Sequence, residues 1–139
     1  MEIPVRIVEI DQLGYHLLIE GRVNDLKANV LIDTGASRTV IDLNRLNHFF
    51  KDPLTREYDK SCAGLGSGQI TSYVTVLHSL QLGHKVMKDV EIVAIDLASI
   101  NTNYAIYDLP RIDMVLGSDL LLKMDACIDY RARKLSLRT

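Results

Sequence analysis

The chain has 139 residues, 47% of them hydrophobic and 24% charged, which suits one soluble globular domain spanning residues 1–139 with a core of its own. Its formal charge of −2, its lack of tryptophan and its 6% aromatic content leave no basic surface for nucleic acid or an anionic membrane, and no base-stacking platform.

Read along the chain, the pattern is mostly strand. Ile3 to Ile10 alternates apolar and polar residues, and Tyr15 to Ile19 follows after Leu13-Gly14. Gly21 to Asp25 reads as a turn and Leu26 to Ile32 as the next strand. Leu43 to Phe50 places Leu46, Phe49 and Phe50 at helical spacing, with Pro53 as its stop. Ser61 to Ala63 and Ile70 to Leu77 flank the run Gly64-Leu65-Gly66-Ser67-Gly68, a hairpin signal. Leu80 to Leu82, a turn at Gly83-His84 and a β-branched run from Val90 to Ile95 come next. Ala98 to Pro110 is polar and irregular, and is expected to be a long loop. Ile112 to Leu116 reads as a buried strand, Ser118 to Met124 as a short helix. Ile128 and Tyr130, then Leu135 and Leu137, form a closing hairpin around Arg131 to Lys134. The expected fold is a single mainly-β domain with one or two short helices.

Met1 to Arg6 lacks the basic and then apolar segments of a secretion signal, and no apolar run reaches membrane-spanning length. Cys62 and Cys127 stand in unrelated contexts, which predicts two packed, reduced thiols and a cytoplasmic setting. The four histidines show no metal-ligand spacing, and neither Ser37 nor Ser118 sits in a nucleophile elbow. Arg131, Arg133, Lys134 and Arg138 read as a solvated hairpin end.

One stretch asks for chemistry. In Leu31-Ile32-Asp33-Thr34-Gly35-Ala36 a carboxylate is carried to the end of an apolar strand and followed by a sharp turn. A desolvated carboxylate costs several kcal/mol unless it is satisfied or used. Either Asp33 caps a turn or it does chemistry. Two further features follow in order: the Gly64 to Gly68 tip, and Val115-Leu116-Gly117 before a helix. The tip is no dinucleotide loop, because Gln69 stands where a glycine would be needed, and no Gly-Lys-Ser/Thr follows.

In this order the three features resemble the retropepsin-like aspartic proteases, the clan that contains the retroviral proteases. The resemblance runs from roughly Ile19 to Leu137. It implies a closed β-barrel and an aspartic endopeptidase acting on peptide or protein substrates without metal or organic cofactor. Asp33 would be catalytic, Thr34, Gly35 and Ala36 would complete its turn, and Gly64, Leu65, Gly66, Ser67 and Gly68 would form a substrate-binding flap. Val115, Leu116 and Gly117 would be the supporting turn. The chain departs from the retroviral pattern in having Ser37-Arg38 where acidic residues are common, and in the extra segments Asp42 to Lys60 and Ala98 to Arg111.

Aspartate-catalysed hydrolysis takes two carboxylates sharing one proton. The chain has one Asp-Thr-Gly and no second Asp-Ser/Thr-Gly, so the resemblance implies a homodimer with Asp33 facing its symmetry mate. The alternative is a monomeric, inert module of the same fold used for binding or regulation.

Overall fold

A computed structural model describes residues 1–12, 14–52, 55–57 and 71–138, with Arg56 and Glu57 described by backbone alone. The expected strand over Ile3 to Ile10 is divided. Strand β1 (Glu2–Pro4) pairs with a strand near the other end of the chain, whereas β2 (Arg6–Ile10) pairs with β3 (Gly14–Val23). Pro4 has no N–H to give, and Val5 donates to Arg133 O at 2.9 Å, so the chain changes sheets at this point.

Strand β3 runs through Gly21, where a turn is expected from sequence. Its hairpin to β4 (Leu26–Ile32) is the two-residue Asn24-Asp25, both left-handed at φ 48° and 68°. Gly21 has another duty. A Cβ there would lie 3.0 Å from Gln81 O and 2.9 Å from Leu82 Cδ2, so the glycine admits a neighbouring strand. Strand β5 (Val40–Asp42) leads into a 3₁₀ turn over Leu43–Arg45 and then helix α1 (Leu46–Phe49), so the helix read over Leu43 to Phe50 is two short pieces.

Strand β6 (Arg56–Glu57) pairs with β7 (Tyr73–Leu82), which turns at Gly83 into β8 (Lys85–Ile95). The glycine tip Gly64 to Gly68 and the strand Ser61 to Ala63 lie outside the described residues.

The long loop expected over Ala98 to Pro110 is mostly helix α2 (Ala98–Ile106). No clean apolar stripe announces it, because tertiary anchors hold it. Asn101 exchanges two hydrogen bonds with the backbone of Ile112, at 2.7 and 3.0 Å. Asp96 Oδ1 caps the Ala98 N–H at 2.8 Å. Tyr104 is fully buried, its hydroxyl 2.6 Å from His16 Nδ1, and burial pushes its phenol up to about 12.

Strand β9 (Met114–Leu116) and helix α3 (Ser118–Lys123) follow, then the hairpin β10 (Cys127–Asp129) and β11 (Lys134–Ser136). The helices thus number three among the described residues, one more than expected. Cys127, expected to be packed, is exposed on β10; Cys62 lies outside the described residues.

The ladder order β3-β4-β9-β5-β8-β7 returns to β3 through the pairs Arg22↔Gln81 and Val23↔Leu80, which closes a six-stranded barrel. β2 and β6 extend it. β1, β11 and β10 form a separate three-stranded sheet in that order. Side chains alternate across the barrel wall. Val30, Ile32, Met114, Leu116 and Ile41 enter one core, while Leu31, Val115, Val40 and Val93 face a second. That second cluster is covered by Val8 and Ile10 of β2 and by Leu97, Tyr104 and Leu109 around α2. Both faces of β4 and β9 are therefore buried, which is why Val30 to Ile32 and Met114 to Leu116 are unbroken apolar runs. Among the described residues no helix is long and apolar enough to cross a membrane.

Candidate active site

β4 and β9 run parallel in the register Val30↔Met114, Leu31↔Val115 and Ile32↔Leu116. The ladder continues one step further, Asp33 N–H donating to Leu116 O at 3.0 Å. Asp33 is thus fixed by the barrel wall up to its own backbone. The chain then reverses: Ala36 N–H donates to Asp33 O at 3.1 Å, and Gly35 N–H donates to Asp33 Oδ1 at 2.9 Å. This last bond holds the carboxylate over its own turn. Asp33, Thr34 and Gly35 are all exposed. Ala36 is half-buried against the second cluster, which roots the turn.

Gly117 supports this turn from β9. A Cβ on it would lie 2.8 Å from Ala36 O, Arg38 C and Arg38 O, all backbone atoms that cannot rotate away. With no side chain, the β9–α3 turn fits directly under the Asp33 turn. Ser118 then donates twice to Ala36 O, from N at 2.8 Å and from Oγ at 3.1 Å. Ser118 is an anchor for the turn.

Two residues that the motif reading did not assign complete the support. Thr39 is fully buried; its N–H and its hydroxyl both donate to Asp119 Oδ1, at 2.9 and 2.8 Å, and its Oγ1 accepts from Gly117 N–H at 3.0 Å. Asp119 Oδ2 lies 3.8 Å from Arg38 Nε. The available signal was a threonine heading an apolar strand and an acid in the first turn of a helix, too common to single out.

Of the sequence-predicted residues, Asp33, Thr34, Gly35 and Ala36 come together with Val115, Leu116 and Gly117; the tip Gly64 to Gly68 lies outside the described residues. The other acids near these elements are engaged. Asp113 is buried and accepts from Arg45 Nε and from Asn29 N–H, each at 2.9 Å. Among the described residues no group of three His, Cys, Asp or Glu side chains is placed to hold a metal ion.

Comparison with known proteins places the chain in a family and a fold. A family model described as aspartyl protease matches residues 19–120. The retroviral protease-like domain of Ddi1 from Leishmania major superposes with a TM-score of 0.58 at 14% identity, over 88% of this chain and 87% of that one. EIAV protease complexed with the inhibitor HBY-793 gives 0.58 at 23% identity, over 88% of this chain and 99% of that one. A retropepsin-like aspartic protease from Rickettsia conorii gives 0.59 at 20% identity, over 97% and 86%. At these identities the likeness establishes the fold, which is retropepsin-like. No curated protein matched the chain.

Proposed function

Because this chain belongs to the aspartyl protease family, we propose that it is an aspartic endopeptidase active as a homodimer. The observation that carries this reading is the Asp33 carboxylate. It stands exposed at the end of a buried strand, oriented by Gly35 N–H, on a turn that the barrel and Gly117 hold in place. One such carboxylate per chain is half of a dyad, and Asp113 and Asp119 are occupied by other partners.

In the dimer, Asp33 and its mate share one proton, since two carboxylates that close cannot both ionise. The ionised one takes a proton from water as the oxygen attacks the scissile carbonyl carbon. The protonated one gives its proton to the carbonyl oxygen, forming a neutral gem-diol. In the collapse of the diol the ionised carboxylate takes a proton from one diol hydroxyl as the carbonyl re-forms, the C–N bond breaks, and the protonated carboxylate gives its proton to the departing nitrogen, which leaves the dyad singly protonated again. Two carboxylates and water complete the reaction. Thr34, exposed beside Asp33, supplies a hydroxyl to bond across the twofold axis. The exposed thiol of Cys127 suits the reducing, cytoplasmic compartment expected for the chain.

The deciding experiment is Asp33→Asn. Its side chain is exposed and, among the described residues, accepts one backbone bond, so the variant keeps its circular dichroism and loses turnover of a peptide library. Equal turnover by both proteins rejects the assignment. The second reading, a monomeric and inert binding or regulatory module, draws on Ser37-Arg38 and on the extra segments Asp42 to Lys60 and Ala98 to Arg111; a chain that stays monomeric at every concentration and cuts no peptide of the library would favour it.

A further inference from the structure

Side chains alternate along β4, and the ladder to β9 runs on through the Asp33 N–H. The Asp33 side chain therefore emerges on the same face of the barrel wall as that of Leu31. That face carries the second core cluster, on which Ala36 of the same turn also packs. The apolar surface adjoining the carboxylate is thus Leu31, Val40 and Val115, which are only 6%, 7% and 5% exposed. Alongside Val8 and Ile10 of β2, the cluster takes in Leu97 and Tyr104, with Ile100 and Leu109 packed against it. The chain's own segment 97–109 lies over the wall beside Asp33.

This cover is weakly attached. Of the nine residues of α2 only Tyr104 is buried; Ile100 and Asn101 are half-buried and the rest are exposed. A helix of this length has little stability of its own, and no charged residue lies within Ala98 to Ile106 to add side-chain pairs. Its polar anchors to the barrel are the two bonds between Asn101 and the Ile112 backbone and the contact of the Tyr104 hydroxyl with His16 Nδ1. Elements with so few buried contacts are the ones that open locally while the rest of a fold stays intact.

We propose that α2 is an autoinhibitory strap. At rest Tyr104 and Leu109 occupy the apolar surface on which substrate side chains next to the scissile bond would seat, and α2 lifts off it when a peptide binds. The inference rests on the endopeptidase reading above and concerns the regulation of that site. If the strap is open in a fraction of the molecules, the apparent affinity for substrate is lowered by that fraction. The Asn101 and Tyr104 bonds exist only with the strap down, so removing them favours the open form. The open complex, and hence kcat, stays the same.

The test compares the wild-type chain with Asn101→Ala, which removes both bonds to Ile112, and Tyr104→Phe, which removes only the bond to His16. Both variants should lower KM for a peptide substrate at unchanged kcat, Asn101→Ala by roughly three- to tenfold. Amide hydrogen exchange of the wild type gives a second readout. The probe is a peptide whose cleaved bond is replaced by a hydroxyethylene group, a stable mimic of the gem-diol. On binding it, residues 98–106 should exchange faster than in the free protein. Circular dichroism verifies that the variants fold; should Asn101→Ala not fold, Tyr104→Phe and the exchange measurement decide. A KM that is unchanged or raised in the folded variants, or exchange of residues 98–106 that slows or stays the same on binding, overturns the strap and makes α2 a fixed wall. The protease assignment is then untouched, because it is decided by the loss of turnover in Asp33→Asn. A wild type and an Asn101→Ala variant that both lack Asp33-dependent turnover overturn the two readings together.

Discussion

The buried Thr39 hydroxyl donates to Asp119 Oδ1 at 2.8 Å while accepting from Gly117 N–H at 3.0 Å. One atom thereby ties β5, the β9–α3 turn and helix α3 into a block beneath the Asp33 turn. Thr39→Val keeps the shape and removes the hydroxyl. The Gly117 N–H then has no partner in a buried place, a cost of about 1–3 kcal/mol. In denaturant unfolding the midpoint falls with little change in slope. An unmoved midpoint would mean that Thr39 is a packing residue only.

Gly117 and Gly14 make a matched pair of tests. Alanine at Gly117 forces backbone to move, because its Cβ meets Ala36 and Arg38 main-chain atoms at 2.8 Å. We expect a loss of roughly 1–3 kcal/mol and, because the displaced atoms belong to the turn proposed as catalytic, a fall in the proposed peptidase activity. At Gly14 the nearest atom is Ile10 O at 3.5 Å, an ordinary contact, and alanine there changes stability by no more than about 0.5 kcal/mol. Equal effects at the two positions would refute the close-approach argument.

The Asp33 turn is legible because its signature is local: apolar strand, carboxylate, and a turn of fixed residue types. The barrel was legible through runs such as Val30 to Ile32 and Met114 to Leu116, whose continuous apolarity reports burial on both faces. Helix α2 was not. Ala98 to Ile106 mixes polar and apolar residues without a clear stripe, and its conformation is decided by partners distant in sequence, His16 for Tyr104 being 88 positions away. The break at Pro4 is hidden for a related reason, since β1 belongs to a ladder with residues 134–136 that no local pattern reveals. Thr39 and Asp119 were visible as residues, but their pairing spans 80 positions.

Tyr104 gives α2 a pH signature. Burial raises its phenol from 10.0 to about 12, so the folded chain holds that proton more tightly than the unfolded chain. Stability from this group is fully present below 10 and is lost as pH rises through about 12. In Tyr104→Phe the alkaline decline of the melting temperature should be shallower, although the neutral-pH value drops with loss of the His16 contact. Ultraviolet titration of the six tyrosines should show a late phenolate in the wild type that the variant lacks. A decline of the same steepness in both proteins would remove Tyr104 from the account.

The residue after Gly35 sets the last expectation. Pepsin-like relatives commonly carry serine there, with a hydroxyl available to the catalytic carboxylate; this chain has Ala36, whose methyl packs on the second core cluster. A hydroxyl bonded to the carboxylate favours its charged form. Ala36→Ser restores the donor, so the basic limb of the kcat/KM profile should move to lower pH. The dimer must be followed by sedimentation at each pH, because dissociation also lowers the rate and would move the acid limb by itself. A basic limb that stays in place or moves upward, with the dimer intact, would show that the hydroxyl does not reach the carboxylate and that the apolar seat of residue 36 turns it away.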